Sequence, residues 1–404
     1  MTSRVPKIVS RLLIGIFIAF LTIGVVTFIV QASGDHPEKA WQAYLINFLL
    51  FSAISQGGLL FSISMNTAKA RWSRLISGVS ESFAAFFPVS VGLFLFLFLG
   101  RDHVFPWLGK NLHGKEVWLN LPFLFYRDFI GLSVLYGLGF AYLYHALWFK
   151  LPLGGSERSG LSGLLDRRRQ QQPEDFAKYR RQMTVYGNLY ISAFALVLSL
   201  IGFDLVMSMD PHWYSTLFGA YTFVKAFYVG LGAVIILVSL LHMHPKVGFT
   251  LPPSQFHDIG KLFFAFCMLW GDFFYVQLVV IWYGNIPEET VYLIQRTRTA
   301  PWNVLAWTVF AIGFILPFLI LINKRIKTLP VAMTVICVAV IISIWLEHFL
   351  ILGPIYNPNA VQLPLHIADG LISLGFLGLM AASVSVFLNQ FPEVLSPKPP
   401  EANR

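Results

Sequence analysis

A chain of 404 residues that is 56% hydrophobic, only 12% charged and has a mean hydropathy of +0.66 is not a soluble domain, where charged residues run at about 25%. It reads as an all-α polytopic membrane protein. The net charge of +9 does not point to nucleic acid, because the basic residues alternate between loops in the manner of a topology signal, and Cys267 and Cys337, both in apolar segments without CxxC or Cys–His spacing, leave iron–sulfur clusters, zinc and a disulfide framework without ligands.

Apolar stretches of the length needed to cross about 30 Å of hydrocarbon fall at 8–30, 41–64, 75–99, 127–149, 185–208, 216–241, 258–283, 302–323, 330–352 and 364–388, predicting ten transmembrane helices. The first, from Leu12 to Val30, lacks a small-residue cleavage site at its end and is expected to stay as an anchor. Residues 100–126, with Trp107 and Trp118, form a loop long enough to dock on another subunit. The longest connection, 150–184, carries eight Lys and Arg residues, among them Arg167, Arg168 and Arg169, which suit anionic lipid head groups. A short helix is expected there from Pro173 to Gln182. Counted over alternate loops, 21 basic residues lie on one side and 7 on the other, so the positive-inside rule places both termini, the 150–184 loop and the 389–404 tail in the cytoplasm. Counting identities finds no internal repeat.

The stretch from Ile201 to Lys225 holds the sharpest signal, since Asp204 and Lys225 lie in membrane-grade sequence on either side of Asp210, His212 and Trp213. A charge in hydrocarbon costs at least about 2.5–3.5 kcal/mol, which makes each such residue a functional candidate. By depth the candidates divide into an inner group (Glu81, His145, His257, Asp258, Lys261), a deeper pair (Lys225, Asp272) and an outer group (Asp204, Glu347, His348, His366, Asp369). Lys225 and Asp272 sit on consecutive helices joined by a short loop, so a buried ion pair between them is expected. Tyr221, Lys225, Tyr228 and Gly232 share one face of their helix, as do Lys261, Ala265, Met268 and Asp272, and both faces are expected to point inward. Glu81, His145, Asp204, Lys225, Asp272, Glu347, His348 and Asp369 are the expected members of a proton path, completed by water or by hydroxyls such as Ser77 and Ser343, with Pro88, Pro211 and Pro317 opening the backbone locally. Capping stays open for Asp204, His366 and Asp369, and a static ion pair for Lys225. His212, His242 and His244 are expected at the interface. None of the ten histidines falls near the bilayer centre, so no facing pair is available for haem b. A secondary transporter using the buried charges is the alternative reading.

The blocks FDLVMSMDPHWYSTLFGAYTF (203–223), FHDIGKLFFAFCMLW (256–270) and IWYGNIPEE (281–289) resemble the second polysulfide-reductase-type (NrfD-like) membrane subunit of bacterial alternative complex III, the ActF type. The resemblance implies two four-helix bundles, residues 41–208 (helices 2–5) and 216–352 (helices 6–9), with helices 1 and 10 outside them. It implies a place in the bacterial cytoplasmic membrane, within a complex that oxidises quinol and passes electrons to cytochrome c or a similar acceptor. The implied partners are a multihaem cytochrome c subunit, an iron–sulfur subunit, a paralogous NrfD-like quinol-binding subunit, small membrane subunits and lipids. Haem c and iron–sulfur clusters would belong to those partners, this chain binding no redox cofactor. The quinone would be menaquinone or ubiquinone, oxidised near the periplasmic face in the paralogous subunit. In such subunits the intramembrane charges are proposed to carry protons. Asp210, His212 and Trp213 match the DPHW motif, and His257, Asp258 and Lys261 match the FHDIGK motif.

Overall fold

A computed structural model describes residues 8–112, 114–150, 163, 176–245 and 247–395. The Arg167–Arg169 run, residues 173–175 and the tail beyond 395 lie outside the described residues. All regular structure among the described residues is helical. Ten segments are long and apolar enough to cross a membrane, which makes this a multi-pass membrane protein. They are α1 (Arg11–Ala32), α2 (Pro37–Thr67), a broken third span (Arg71–Val104), α6 (Leu121–Lys150), α7 (Phe176–Leu205, with 3-10 continuation to Met209), α8 (Leu217–Met243), α9 (Pro253–Gly284), a broken eighth span (Trp302–Leu321), α13 (Pro330–Tyr356) and α14 (Ile367–Gln390). The third span contains α3 (Arg74–Ser80), α4 (Phe87–Leu97) and α5 (Arg101–Val104), and the eighth contains α11 (Trp302–Phe310) and α12 (Leu316–Leu321). A short helix, α10 (Pro287–Thr297), lies between α9 and α11. Ten crossings bring Arg11 and Gln390 to one face, here the terminal face; the opposite one is the distal face.

Residues 176–182, expected in a short loop helix, are instead the first two turns of α7. Both broken spans are interrupted just before a proline. Glu81–Phe86 is 3-10 helix ahead of Pro88, and Ala311–Ile315 is a π-turn ahead of Pro317. Proline has no N–H and its ring clashes with the carbonyl four residues back, and the oxygen so released at Gly313 accepts from the Tyr228 hydroxyl at 3.2 Å. The backbone opening expected at Pro317 is therefore present, with the Tyr228 hydroxyl donating to the carbonyl.

The least and the most buried spans differ sharply in hydropathy. The most apolar window, in α1 (mean hydropathy 2.8), is 6% buried, whereas that of α2 (1.6) is 83% buried. Lipid rewards an apolar exterior, while polar side chains are tolerated only where other helices meet them, so α2, with Asn47, Ser52, Gln56 and Ser62 buried, becomes the central helix. It runs against α8, where Gly57 faces Ala226 and Gly230. A Cβ on Gly57 would stand 2.2 Å from the Ala226 carbonyl oxygen, so the two backbones touch. Around this axis α6 pairs with α7, α8 borders α7, α9 and α13, and α11 lies on α13. Helices α1 and α14 pair through Gly24 and Gly375 and lean on α2.

The expected inward face of α9 is its outward one. Phe256, Gly260, Phe263, Cys267, Trp270 and Gly271 are buried, while Lys261, Ala265, Met268 and Asp272 are exposed. Packing decides the rotation: Phe263 and Trp270 are fully buried, and the absent side chains at Gly260 and Gly271 admit the Lys327 stem and the Phe314 ring. In lipid the gain is close van der Waals fit between helices rather than escape from water, and the glycines and rings supply that fit on one face of α9.

Candidate functional site

Lys225 and Glu347 meet in the interior between α8 and α13, with Lys225 Nζ 3.0 Å from Glu347 Oε1. Their residues are 5% and 0% exposed, so both ions are stripped of bulk water. The Tyr221 hydroxyl donates to the same oxygen, one turn before Lys225 on the shared face of α8, and Lys225 Nζ lies 4.9 Å from the Tyr221 ring centroid. Glu347 Oε2 is buried and has no donor among the described residues.

The expected pairing of Lys225 with Asp272 is therefore wrong. Lys225 stands eight residues in from Leu217 and Glu347 nine before Tyr356, about 12 and 14 Å from the helix ends at 1.5 Å per residue. The sequence reading ended α13 four residues early, at 352, which left Glu347 too shallow. Asp272 points away on the outer side of α9.

Beside the ion pair lies an internal cavity of ≈ 40 Å³ whose lining includes Ser52, Gln56, Thr222, Lys225 and His348. A water needs about 10–15 Å³ and two or more polar partners; the volume suffices, and these five are the polar residues of an otherwise apolar lining. His348 Nδ1 donates to the Ile344 carbonyl at 2.8 Å, which leaves Nε2 as the nitrogen free for the cavity. Gln56 continues the polar line away from the ion pair. Its Nε2 donates to Tyr136 Oη at 2.8 Å, Tyr136 Oη and Ser90 Oγ are 2.7 Å apart, and Ser90 Oγ and Ser52 Oγ are 2.7 Å apart. The hydroxyls of this network are thus Ser52, Ser90 and Tyr136. Ser77 bonds Ser73 and Ser343 bonds the Val309 carbonyl, so neither serves the expected path.

Toward the terminal face a second network forms. Glu81 is 1% exposed; its Oε1 takes Lys150 Nζ at 2.6 Å and Ser62 Oγ at 2.8 Å, and Ser62 Oγ lies 3.1 Å from Tyr142 Oη. The two networks rise on the same helices, Gln56 and Ser62 on α2, Tyr136 and Tyr142 on α6. Six residues separate each pair, about 9 Å. Leu59, Phe87 and Gly139 fill that interval.

The remaining expected members do not join this line. Asp204 is locked elsewhere, near the distal end of α7: Arg127 grips it with Nε to Oδ2 at 2.5 Å and Nη2 to Oδ1 at 2.6 Å, and Trp118 Nε1 donates at 3.0 Å. Such bidentate pairing fixes geometry as well as charge. Asp128, fully buried, interacts with Asp204, and neither of its oxygens has a donor among the described residues. Asp369 is a cap: its Oδ2 accepts the His366 backbone N–H at 2.8 Å in a capping box. His145 is boxed by the rings of Tyr144, Tyr179 and Tyr186, the last stacked at 10°.

At the terminal end of α9, Lys261 pairs with Asp258 at 2.8 Å and His257 lies 3.9 Å from the same oxygen, all three partly exposed. Lys327, from the next loop on this face, packs its stem on Gly260 and donates to the Leu321 carbonyl at 2.7 Å. Burial, then Lys261, hold its pKa below the ordinary lysine value.

On the distal face the DPHW block is a loop between α7 and α8. His212 and Tyr214 are exposed, but Trp213 between them is 2% exposed. Its ring stacks on Tyr292 of α10 at 3.9 Å and 4°, because α10 folds over it. Arg296 completes the stack, its guanidinium 3.4 Å from the Tyr292 ring centroid and its Nη2 2.7 Å from the Ile351 carbonyl oxygen. Burial raises the Tyr292 pKa to about 12 and lowers that of Arg296. Asp210 stands within electrostatic reach of both.

Sequence reasoning missed Ser52, Gln56, Ser62, Ser90 and the tyrosines of α6. Their signal was present as uncharged polar residues at Ser52, Gln56 and Ser62, in a span of low hydropathy. It also missed Arg127 and Asp128 at the start of the fourth span. No protein-family model matches the chain, and no curated protein is significantly similar to it.

Proposed function

We propose that the chain is an NrfD-like membrane subunit of a quinol-oxidising electron-transfer complex of the alternative complex III type, and that it carries protons between the two faces while scaffolding the quinol-oxidising paralogue. The observation that carries this reading is the buried Lys225–Glu347 pair, joined to a cavity able to hold water and to polar groups leading toward Glu81. A static pair needs no water beside it. In the working cycle, gain of a proton by Glu347 would remove the negative charge that keeps the Lys225 ammonium protonated, and Lys225 would then release its own proton into the cavity, where His348 Nε2 offers an acceptor.

The grouping of α2, the third span, α6 and α7 on one side of the α2–α8 axis supports the two-bundle arrangement, with α8, α9, the eighth span and α13 on the other. The 21 to 7 basic asymmetry supports a cytoplasmic terminal face in a bacterial inner membrane. A cavity of ≈ 40 Å³ suits water and not a quinone ring, and quinol is assigned to the paralogous subunit on the resemblance. Haem c and iron–sulfur clusters are assigned to the soluble partners.

The test is the number of protons released per electron by the whole complex in sealed vesicles. Glu81→Gln and Lys225→Met, in assembled and quinol-oxidising complex, are expected to lower that ratio; an unchanged ratio in both leaves these residues as packing. A secondary transporter is the second reading, favoured by the interruptions at 81–86 and 311–315. Solute uptake by vesicles holding this chain alone, driven by a pH gradient without quinol, would select it.

A further inference from the structure

Asp272 is an ionisable residue deep in a span, and nothing among the described residues covers it. It lies 19 residues from Pro253 and 12 from Gly284, about 28 and 18 Å along the helix, well inside the hydrocarbon. The other carboxylates at comparable depth are enclosed: Glu347 by Lys225 and Tyr221, Glu81 by Lys150 and Ser62. Asp272 is exposed and takes part in no described ion pair or hydrogen bond. Its surroundings form a continuous stripe. Lys261, Ala265, Met268, Asp272 and Tyr275 follow one another at i, i+4, i+7, i+11 and i+14, and all five are exposed, so one side of α9 is bare for about 21 Å. Only 22% of its span window is buried.

Facing lipid, a carboxylate here would cost several kcal/mol. A polar residue on such a surface instead hydrogen-bonds a neighbouring helix, and a small residue on the same face lets the backbones approach; Ala265, two turns from Asp272, is the small residue of this stripe. A second copy of this chain is a poor occupant, because a two-fold axis through the stripe would set Asp272 against itself. We propose that the Lys261–Tyr275 stripe of α9 receives a transmembrane helix of a different polypeptide, whose Lys or Arg side chain meets Asp272 inside the bilayer. This surface is separate from the Lys225–Glu347 network and stands or falls independently of the proton path.

The test uses the full chain in its native membrane. A photo-crosslinking residue, p-benzoylphenylalanine, replaces Met268 or Tyr275, with Leu319, 62% exposed on α12, as a lipid-facing control. The expected result is one discrete heterologous adduct from both stripe positions and none from Leu319. The captured peptide must be an apolar span containing a Lys or Arg. Asp272→Asn, and replacement of that cation by Met, should each reduce adduct yield at least fivefold, and the two together should restore it. A double variant that restores nothing overturns the proposal. So does an adduct of twice the chain's own mass, which would make the stripe a homodimer contact, or lipid adducts alone, which would make Asp272 a protonated lipid-facing group.

Discussion

Lys225 and Glu347 hold each other in a place where neither would survive alone. Removing one member of a buried pair strands the other charge and costs about 3–5 kcal/mol, whereas replacing both with neutral groups is often harmless. Lys225→Met and Glu347→Gln should therefore each lower the unfolding temperature of the detergent-solubilised protein clearly, and the double variant should recover most of the loss. Additive losses in the double variant would show that the two side chains do not form a pair. Lys225 was legible in the sequence as an ammonium in an apolar helix. Its partner was not, because partner choice depends on helix depth and rotation: four more residues on α13 and the turning of α9 exchange Asp272 for Glu347. A smaller effect belongs to Lys327. Its pKa is held down mainly by burial, so the unfolded chain binds a proton that the folded chain releases. Stability from this residue is full above the ordinary lysine value of 10.5 and is lost as pH falls through the lower folded value. The difference in unfolding temperature between wild type and Lys327→Met should change in that alkaline interval; a difference constant across it would contradict the assignment.

Among the elements, α2 and α8 form the axis because their glycines remove the side chains that would keep them apart. Gly57→Ala would place a methyl 2.2 Å from the Ala226 carbonyl oxygen, and overpacking of this kind costs about 1–3 kcal/mol. Gly92 is exposed in α4 and has nothing within 4 Å of a built Cβ; there alanine should be neutral or gain up to about 1 kcal/mol from helix propensity. Thermal unfolding of the two variants checks the contrast, and equal effects would contradict the close crossing. The ten spans were legible because length and hydropathy alone decide them. The α10 helix was not, since eleven residues with Glu288, Glu289 and Arg296 match no span, and the stack of Trp213, Tyr292 and Arg296 helps hold it down. Tyr292→Ala should speed amide hydrogen exchange through α10 while leaving α8 unchanged. Exchange that stays slow in α10 would assign its anchoring to other contacts.

For the whole molecule, the account rests on a line of polar groups running from Lys150 and Glu81 through Ser62 and Tyr142, across an apolar interval at Leu59 and Phe87, to Gln56, the cavity, Lys225 and Glu347. Charges marked its ends in the sequence. The middle is built from serines, a glutamine and tyrosines, which occur in many helices for packing alone and acquire meaning only when three helices bring them together. Water in the cavity is the central claim, and it can be tested without removing any charge or hydrogen bond. Ala53 lines the cavity, and Ala53→Val adds two methyl-sized groups to a space of only ≈ 40 Å³. Protons released per electron, measured for the intact complex in sealed vesicles, should fall in Ala53→Val while assembly and quinol oxidation persist. A ratio equal to wild type with the cavity filled would contradict proton movement through it.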